Sequence, residues 1–175
     1  VMETASTHGL RVVVLDRPNP ITGNGVEGPM LDDDAIGFTG YVSMPVRHGL
    51  TIGELARFFN DERDIGVELD IVELKDWQRD LWFDETGLPW IDPSPNLRTV
   101  TQAVLYPGIG SIEATNLSVG RGTDTPFERL GAPWIEATQL AALLNARELP
   151  GVRFYPETFT PSASKYAGER CHGIH

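Results

Sequence analysis

Residues 113–123 read EATNLSVGRGT, the densest run of polar side chains in the chain. Glycines at 120 and 122 flank Arg121. Such a backbone can converge its N–H groups on an anion while the guanidinium grips it in two-point fashion. Glu113 follows Ile109 and Ile112, and a carboxyl group in apolar company is placed to act as a general acid. Thr115, Asn116 and Ser118 add short hydrogen-bonding groups to the same stretch.

A second candidate cluster lies earlier. The segment Asp16-Arg17-Pro18-Asn19-Pro20 directly follows an apolar β-branched run, so Arg17 and Asn19 fall at the carboxyl edge of a strand. Ligands of α/β sheets bind at that edge, although an Asp–Arg pair bracing a proline turn fits the same letters. Arg47-His48-Gly49 precedes Thr51-Ile-Gly-Glu54, a capping box. The helix dipole disfavours the charged form of a nearby imidazole, which leaves His48 to neutral acid–base or hydrogen-bond chemistry, or to an ordinary loop role. Glu54 is accounted for as the partner of Thr51.

Three other patterns fit a chemistry by letter and not by context. Gly23-Asn-Gly25-Val-Glu-Gly28 is G-x-G-x-x-G, but Pro29 and the acids at 32–34 follow where a phosphate-binding helix should open. Ser162-Ala-Ser164-Lys165 is S-x-x-K without its companion motifs. Cys171, His172 and His175 offer three metal-type ligands and no fourth.

The elements that must position these groups alternate. Residues 1–8 read as helix, stopped by Gly9, and residues 10–15 (LRVVVL) as a parallel-type strand. A helix follows to about residue 62, then a strand over 67–74. A short helix is expected over 99–106, closed by Pro107-Gly108; a firm helix over 137–147; and a last strand over 152–155. This order predicts a layered α/β fold with a mostly parallel sheet. Loops at 16–40, 77–96 and 107–133 are long and rich in Gly, Pro, Asn, Arg and Trp. Loops of that length within a compact domain are functional or disordered, and embedded tryptophans argue against disorder. Their aromatic and polar side chains suit a polar ring such as a sugar, and equally many other small molecules.

The charge balance narrows the partners. Lys+Arg 14 against Asp+Glu 25 gives a net charge of −11, which excludes a polyanion such as nucleic acid as the main partner. Lys75 and Lys165 are the only lysines, so the cations are nearly all arginines, which coding bias explains as well as a need for two-point carboxylate forks. One cysteine excludes an internal disulfide, and no apolar run reaches the ~18 residues of a membrane span. The 175 residues suffice for a core, yet the outer elements read as cut from something longer, so an α/β sheet incomplete at both ends is expected.

The strings VVVLDRPNP, VEGP, PVRHGLTIGELA, LPWIDPSPN, LYPG, EATNLSVGRGT, PFERLGAPW, LPGVRF and FTPSASKYAGERCHG, taken in order, resemble the DUF1343 family, which includes exo-acting β-N-acetylmuramidases of bacterial peptidoglycan recycling. The resemblance implies a Rossmann-like domain followed by a smaller C-terminal domain, with the active site in the cleft between them. It also implies release of N-acetylmuramic acid from the non-reducing end of peptidoglycan saccharides, no cofactor, and export. Family members are longer and carry an upstream Pro-Glu-His-Gly motif that is absent here. On this reading residues 1–175 belong to one Rossmann-like catalytic domain, as its second half, without the C-terminal domain.

Glycoside cleavage uses two carboxyl groups. Glu113 is the first choice for one, with Asp16 and Glu27 behind it, and His48 beside them. The lactyl carboxylate of muramic acid calls for a cation, Arg121 first and Arg17 second, with Arg47 near the same loop. Asn19, Thr115, Asn116, Ser118 and His48 would hydrogen-bond the sugar, and Tyr106 or Trp90 would stack on its ring. Two alternatives stand beside this one: a non-catalytic or incomplete saccharide-binding fragment, and an esterase or amidase using Ser118 or Ser164, which lacks a nucleophile-elbow pattern.

Overall fold

The computed structural model describes residues 1–175, which form two compact units, Val1–Pro89 and Trp90–His175. The mixed α/β class expected from the sequence is the class observed. Parallel pairing belongs to the first unit, and the sheet of the second is antiparallel.

In the first unit, α1 (Met2–Thr7) ends at Gly9, whose φ of +61° lets the chain turn into β1 (Val12–Leu15). Helix α2 (Ile52–Glu62) then crosses over to β2 (Leu69–Val72), which pairs in parallel with β1, Val12 facing Leu69 and Leu15 facing Val72. The capping box forms as the sequence predicts. Thr51 Oγ1 accepts from the Glu54 N–H at 3.2 Å, and the Glu54 carboxylate accepts from the Thr51 N–H at 2.9 Å. At the other end the Asn60 side chain holds both the N–H and the C=O of Val67 (3.1 and 3.2 Å), tying α2 to the segment that enters β2.

The second unit carries α3 (Val100–Ile112), β3 (Leu130–Ala132), α4 (Ala137–Asn145), β4 (Pro156–Phe159) and β5 (Cys171–Ile174). The sheet order is β3-β5-β4, with Ala132 and Thr158 both opposite His172. Its core gathers Val119, Phe127, Ala132, Ala141, Phe159, Cys171 and Ile174. Antiparallel pairing is what a helix-free connection permits, since parallel strands need a crossover and residues 160–170 contain no helix.

Two expectations of element bounds change. Helix α3 does not stop at Pro107 but runs on to Ile112. Pro107 removes one backbone hydrogen bond, but Leu105, Ile109 and Ile112 continue a half-buried stripe at helical spacing past it. The strand expected over 152–155 begins instead at Pro156. The stretch from Cys171 is the middle strand of the sheet.

Candidate active site

The first unit gathers its polar groups where β1 meets the start of α2. Asp16 Oδ2 accepts from Thr51 Oγ1 at 2.9 Å, and its Oδ1 accepts from the Gly53 N–H at 2.8 Å and the Arg17 N–H at 2.9 Å. A carboxylate so placed satisfies a first-turn donor and complements the positive end of the helix. Only glycine fits at 53: a Cβ there would lie 2.7 Å from Ile71 Cγ2 and 2.8 Å from Asp16 Cγ. Arg79 arrives from the irregular region, ion-pairs with Glu54, donates to the Gly49 carbonyl at 3.0 Å and lies over the Trp77 ring at 5.6 Å.

The other candidates of this unit surround that knot. His48 Nδ1 accepts the Leu50 N–H at 3.0 Å, so the neutral ring carries its proton on Nε2. Burial pushes the His48 pKa below its ordinary value. Arg47 pairs with Glu27 at 2.6 Å, donates to the Ile21 carbonyl at 2.7 Å and sits over Trp82 at 5.5 Å. Asn19 is buried, its amide donating to the Leu50 carbonyl (3.0 Å) and accepting from the Ile21 N–H (3.1 Å), so it braces a turn. Arg17 differs from all of these. Its side chain is exposed and makes no hydrogen bond or ion pair.

In the second unit, Glu113 caps the end of α3 and receives Arg121 at two points, Nε to Oε1 and an Nη2 contact to Oε2 at 3.0 Å. The guanidinium also lies 4.9 Å over the Phe127 ring, against which Tyr106 packs edge-on at 4.9 Å. The hydrogen bond that Arg121 donates to Glu113 pushes the Arg121 pKa further up, against the opposing effect of burial. Gly120 and Gly122 take φ of +76° and +82°, as an anion nest requires, but the Gly120 N–H is already bonded to Ser118 Oγ at 3.3 Å. Ser118 is buried and bridges to Gly131 through its backbone. Thr115 Oγ1 donates to the Ile112 carbonyl at 2.8 Å, and the Asn116 carbonyl accepts from Tyr166 Oη at 2.8 Å.

Thus the structure brings Asp16, Arg17, Asn19, Glu27, Arg47 and His48 into one unit. It brings Tyr106, Thr115, Asn116, Ser118, Glu113 and Arg121 into the other. Glu113 and Arg121, read separately from the sequence as acid and carboxylate reader, are spent on each other. Sequence reasoning missed Arg79, and it met Lys165 only within the S-x-x-K pattern, not as a brace. Lys165 donates to the Glu113 carbonyl at 3.0 Å and also to that of Thr115. Both lysine contacts span about fifty residues, and no local pattern marks them. Of the weaker patterns, Ser162 Oγ donates to the Gly122 carbonyl at 2.7 Å, which leaves it and Lys165 as loop braces. Cys171 and His172 alternate along β5 and point to opposite faces. No group of three His, Cys, Asp or Glu side chains is placed to hold a metal, and no helix is long and apolar enough to cross a membrane.

A parallel β-α-β unit followed by an antiparallel sheet, with polar loops at the strand ends, defines the class of protein. The chain belongs to the exo-β-N-acetylmuramidase NamZ family: the N-terminal family model matches residues 1–101 and the C-terminal one residues 104–175. The latter covers the part that the sequence reading placed within a single Rossmann-like domain. Peptidoglycan β-N-acetylmuramidase NamZ of Bacillus subtilis is 49% identical over 173 residues, which are 99% of this chain and 42% of that protein. Two crystal structures of DUF1343 family proteins from Bacteroides fragilis superimpose with TM-scores of 0.88 and 0.77 at 38% and 31% identity. They are covered to 46% each, against 99% and 100% of this chain. The chain therefore spans less than half the length of the relatives it matches.

Proposed function

We propose that the chain is the part of an exo-β-N-acetylmuramidase that helps bind and orient the terminal muramic acid residue of peptidoglycan fragments for hydrolysis. The observation that carries this reading is the 49% identity, sustained over 99% of the chain, to a peptidoglycan β-N-acetylmuramidase. The reading brings with it a cell-wall-derived saccharide as partner and export as the route to it.

Within the chain, Arg17 is the cation best suited to the lactyl carboxylate. Its guanidinium is exposed and unpaired at the carboxyl end of β1, whereas Arg121 and Arg47 already hold carboxylates. The His48 Nε2 proton supplies a donor to a sugar oxygen. Asp16 acts as a positioning residue, because both its oxygens hold the start of α2. Glu113 remains the carboxylate of the second unit to test, with both oxygens engaged by Arg121.

That engagement favours a second reading, a saccharide-binding portion whose hydrolytic carboxyl groups lie elsewhere in the longer protein. Turnover of a chromogenic β-N-acetylmuramide separates the two. Hydrolysis by the 175-residue chain places the hydrolytic carboxyl groups within it, hydrolysis only by a family-length protein supports the second reading, and hydrolysis by neither removes the functional proposal.

A further inference from the structure

The second unit holds a cavity of about 450 Å³ that none of the groups above uses. Its wall is formed by Trp134, Glu136, Thr138, Thr158 and His172, together with Pro133 and Pro156. The volume falls in the range of small-ligand sites.

Its chemistry is that of a sugar site. Trp134 leaves β3 with 60% of its surface exposed, and its indole makes no hydrogen bond or ring contact within the protein. Large exposed aromatic surface is costly to leave in water and offers a flat face to the C–H side of a pyranose. Opposite strands place Thr158 and His172 side by side, Thr158 Oγ1 standing 3.2 Å from His172 Nδ1, which fixes the ring and leaves Nε2 for another partner.

The charges set which sugar. Glu136 is the N-cap of α4, and its side chain neither caps the helix nor forms an ion pair. Its carboxylate is a ready acceptor for sugar hydroxyls. It already supplies the negative charge that a helix start favours, so a second carboxylate entering the cavity meets repulsion. Glu157, also on the wall, lies 3.0 Å from Arg129 and is balanced by it. We infer that the Trp134 cavity binds an uncharged pyranose of a saccharide and rejects a carboxylate-bearing one such as muramic acid. This rests on the saccharide reading of the protein for the choice of ligand class.

The test is a titration of the 175-residue chain followed by the tryptophan indole N–H signals in ¹⁵N-resolved NMR, with N,N′-diacetylchitobiose and N-acetylmuramic acid as probes. The Trp134 signal, identified by its loss in Trp134→Phe, shifts saturably with the chitobiose. Binding weakens about tenfold or more in Trp134→Ala, and N-acetylmuramic acid gives a weaker response that strengthens in Glu136→Gln. A silent Trp134 signal, equal responses to the two sugars, or unchanged affinity in Trp134→Ala overturns the proposal. Absence of muramide hydrolysis by both the 175-residue chain and a family-length protein would remove the functional reading and leave these binding readouts untouched, so the two can fail separately.

Discussion

Arg121 meets Glu113 at both carboxylate oxygens while resting on the face of Phe127. The pair closes the end of α3 onto the glycine-rich segment eight residues later. Two-point pairs of this kind are stronger than single surface contacts, but both side chains are about a third exposed, which reduces their worth. A double-mutant cycle with Glu113→Gln and Arg121→Met is expected to give a coupling of about 1 kcal/mol in denaturant unfolding. A coupling indistinguishable from zero would reduce the pair to a surface contact.

Arg17 offers the opposite case, a cation with nothing in the protein to hold. Arg17→Ala is expected to leave stability within about 0.5 kcal/mol. In a family-length enzyme carrying the same segment, it should raise KM for a muramide by about tenfold, with less effect on a glucosaminide. Equal loss on both sugars would assign the lactyl contact to another residue.

Thr51 serves two partners at once, the Glu54 N–H and the Asp16 carboxylate. Thr51→Ala removes both bonds in a residue that is 1% exposed, and the expected loss is about 1–2 kcal/mol. Gly53→Ala should cost about 1–3 kcal/mol, because the added methyl displaces Ile71 or Asp16. Urea midpoints measure both, and an unperturbed Gly53→Ala would mean that β1 and α2 are less closely joined than the distances state.

His48 predicts a pH dependence with a definite sign. Burial lowers its folded pKa below 6.5. Above about pH 6.5 the ring is neutral in both states and contributes nothing to the pH slope. Below that, the unfolded chain takes up a proton that the folded one resists, so stability falls as pH drops and levels off once the folded ring titrates. His48→Asn keeps an acceptor for the Leu50 N–H and should flatten the Tm profile between pH 6.5 and the lower plateau. Superimposable profiles of the two proteins would remove His48 as the cause.

Much of the first unit was legible in its letters. The capping box, the β-branched run before Asp16 and the glycine after α1 each encode a local geometry that distant contacts have no reason to override. The second unit was harder to read for equally local reasons. Pro107 signals a stop, but the apolar stripe of α3 outweighs one missing hydrogen bond. Pro156 and Gly173 are poor strand formers, yet β4 and β5 contain them, because close backbone approach at Gly173 leaves no room for a side chain beside Leu130. The candidate site suffered a different loss. Residue types announce which groups could do chemistry, but not that Arg121 and Glu113 neutralise each other or that Arg79 reaches Glu54 from 25 residues away. Pairing across loops is a tertiary fact, and it is what separates the occupied arginines from Arg17.

The order β3-β5-β4 also bears on how the protein is made. The strand that joins the other two emerges after both of them. A nascent chain exposing β3 and β4 has two strands with unfilled backbone edges and no means of pairing with each other in the native register. The second unit must therefore complete its sheet late, after synthesis of residues 171–174, with the interval before that its period of greatest exposure to aggregation.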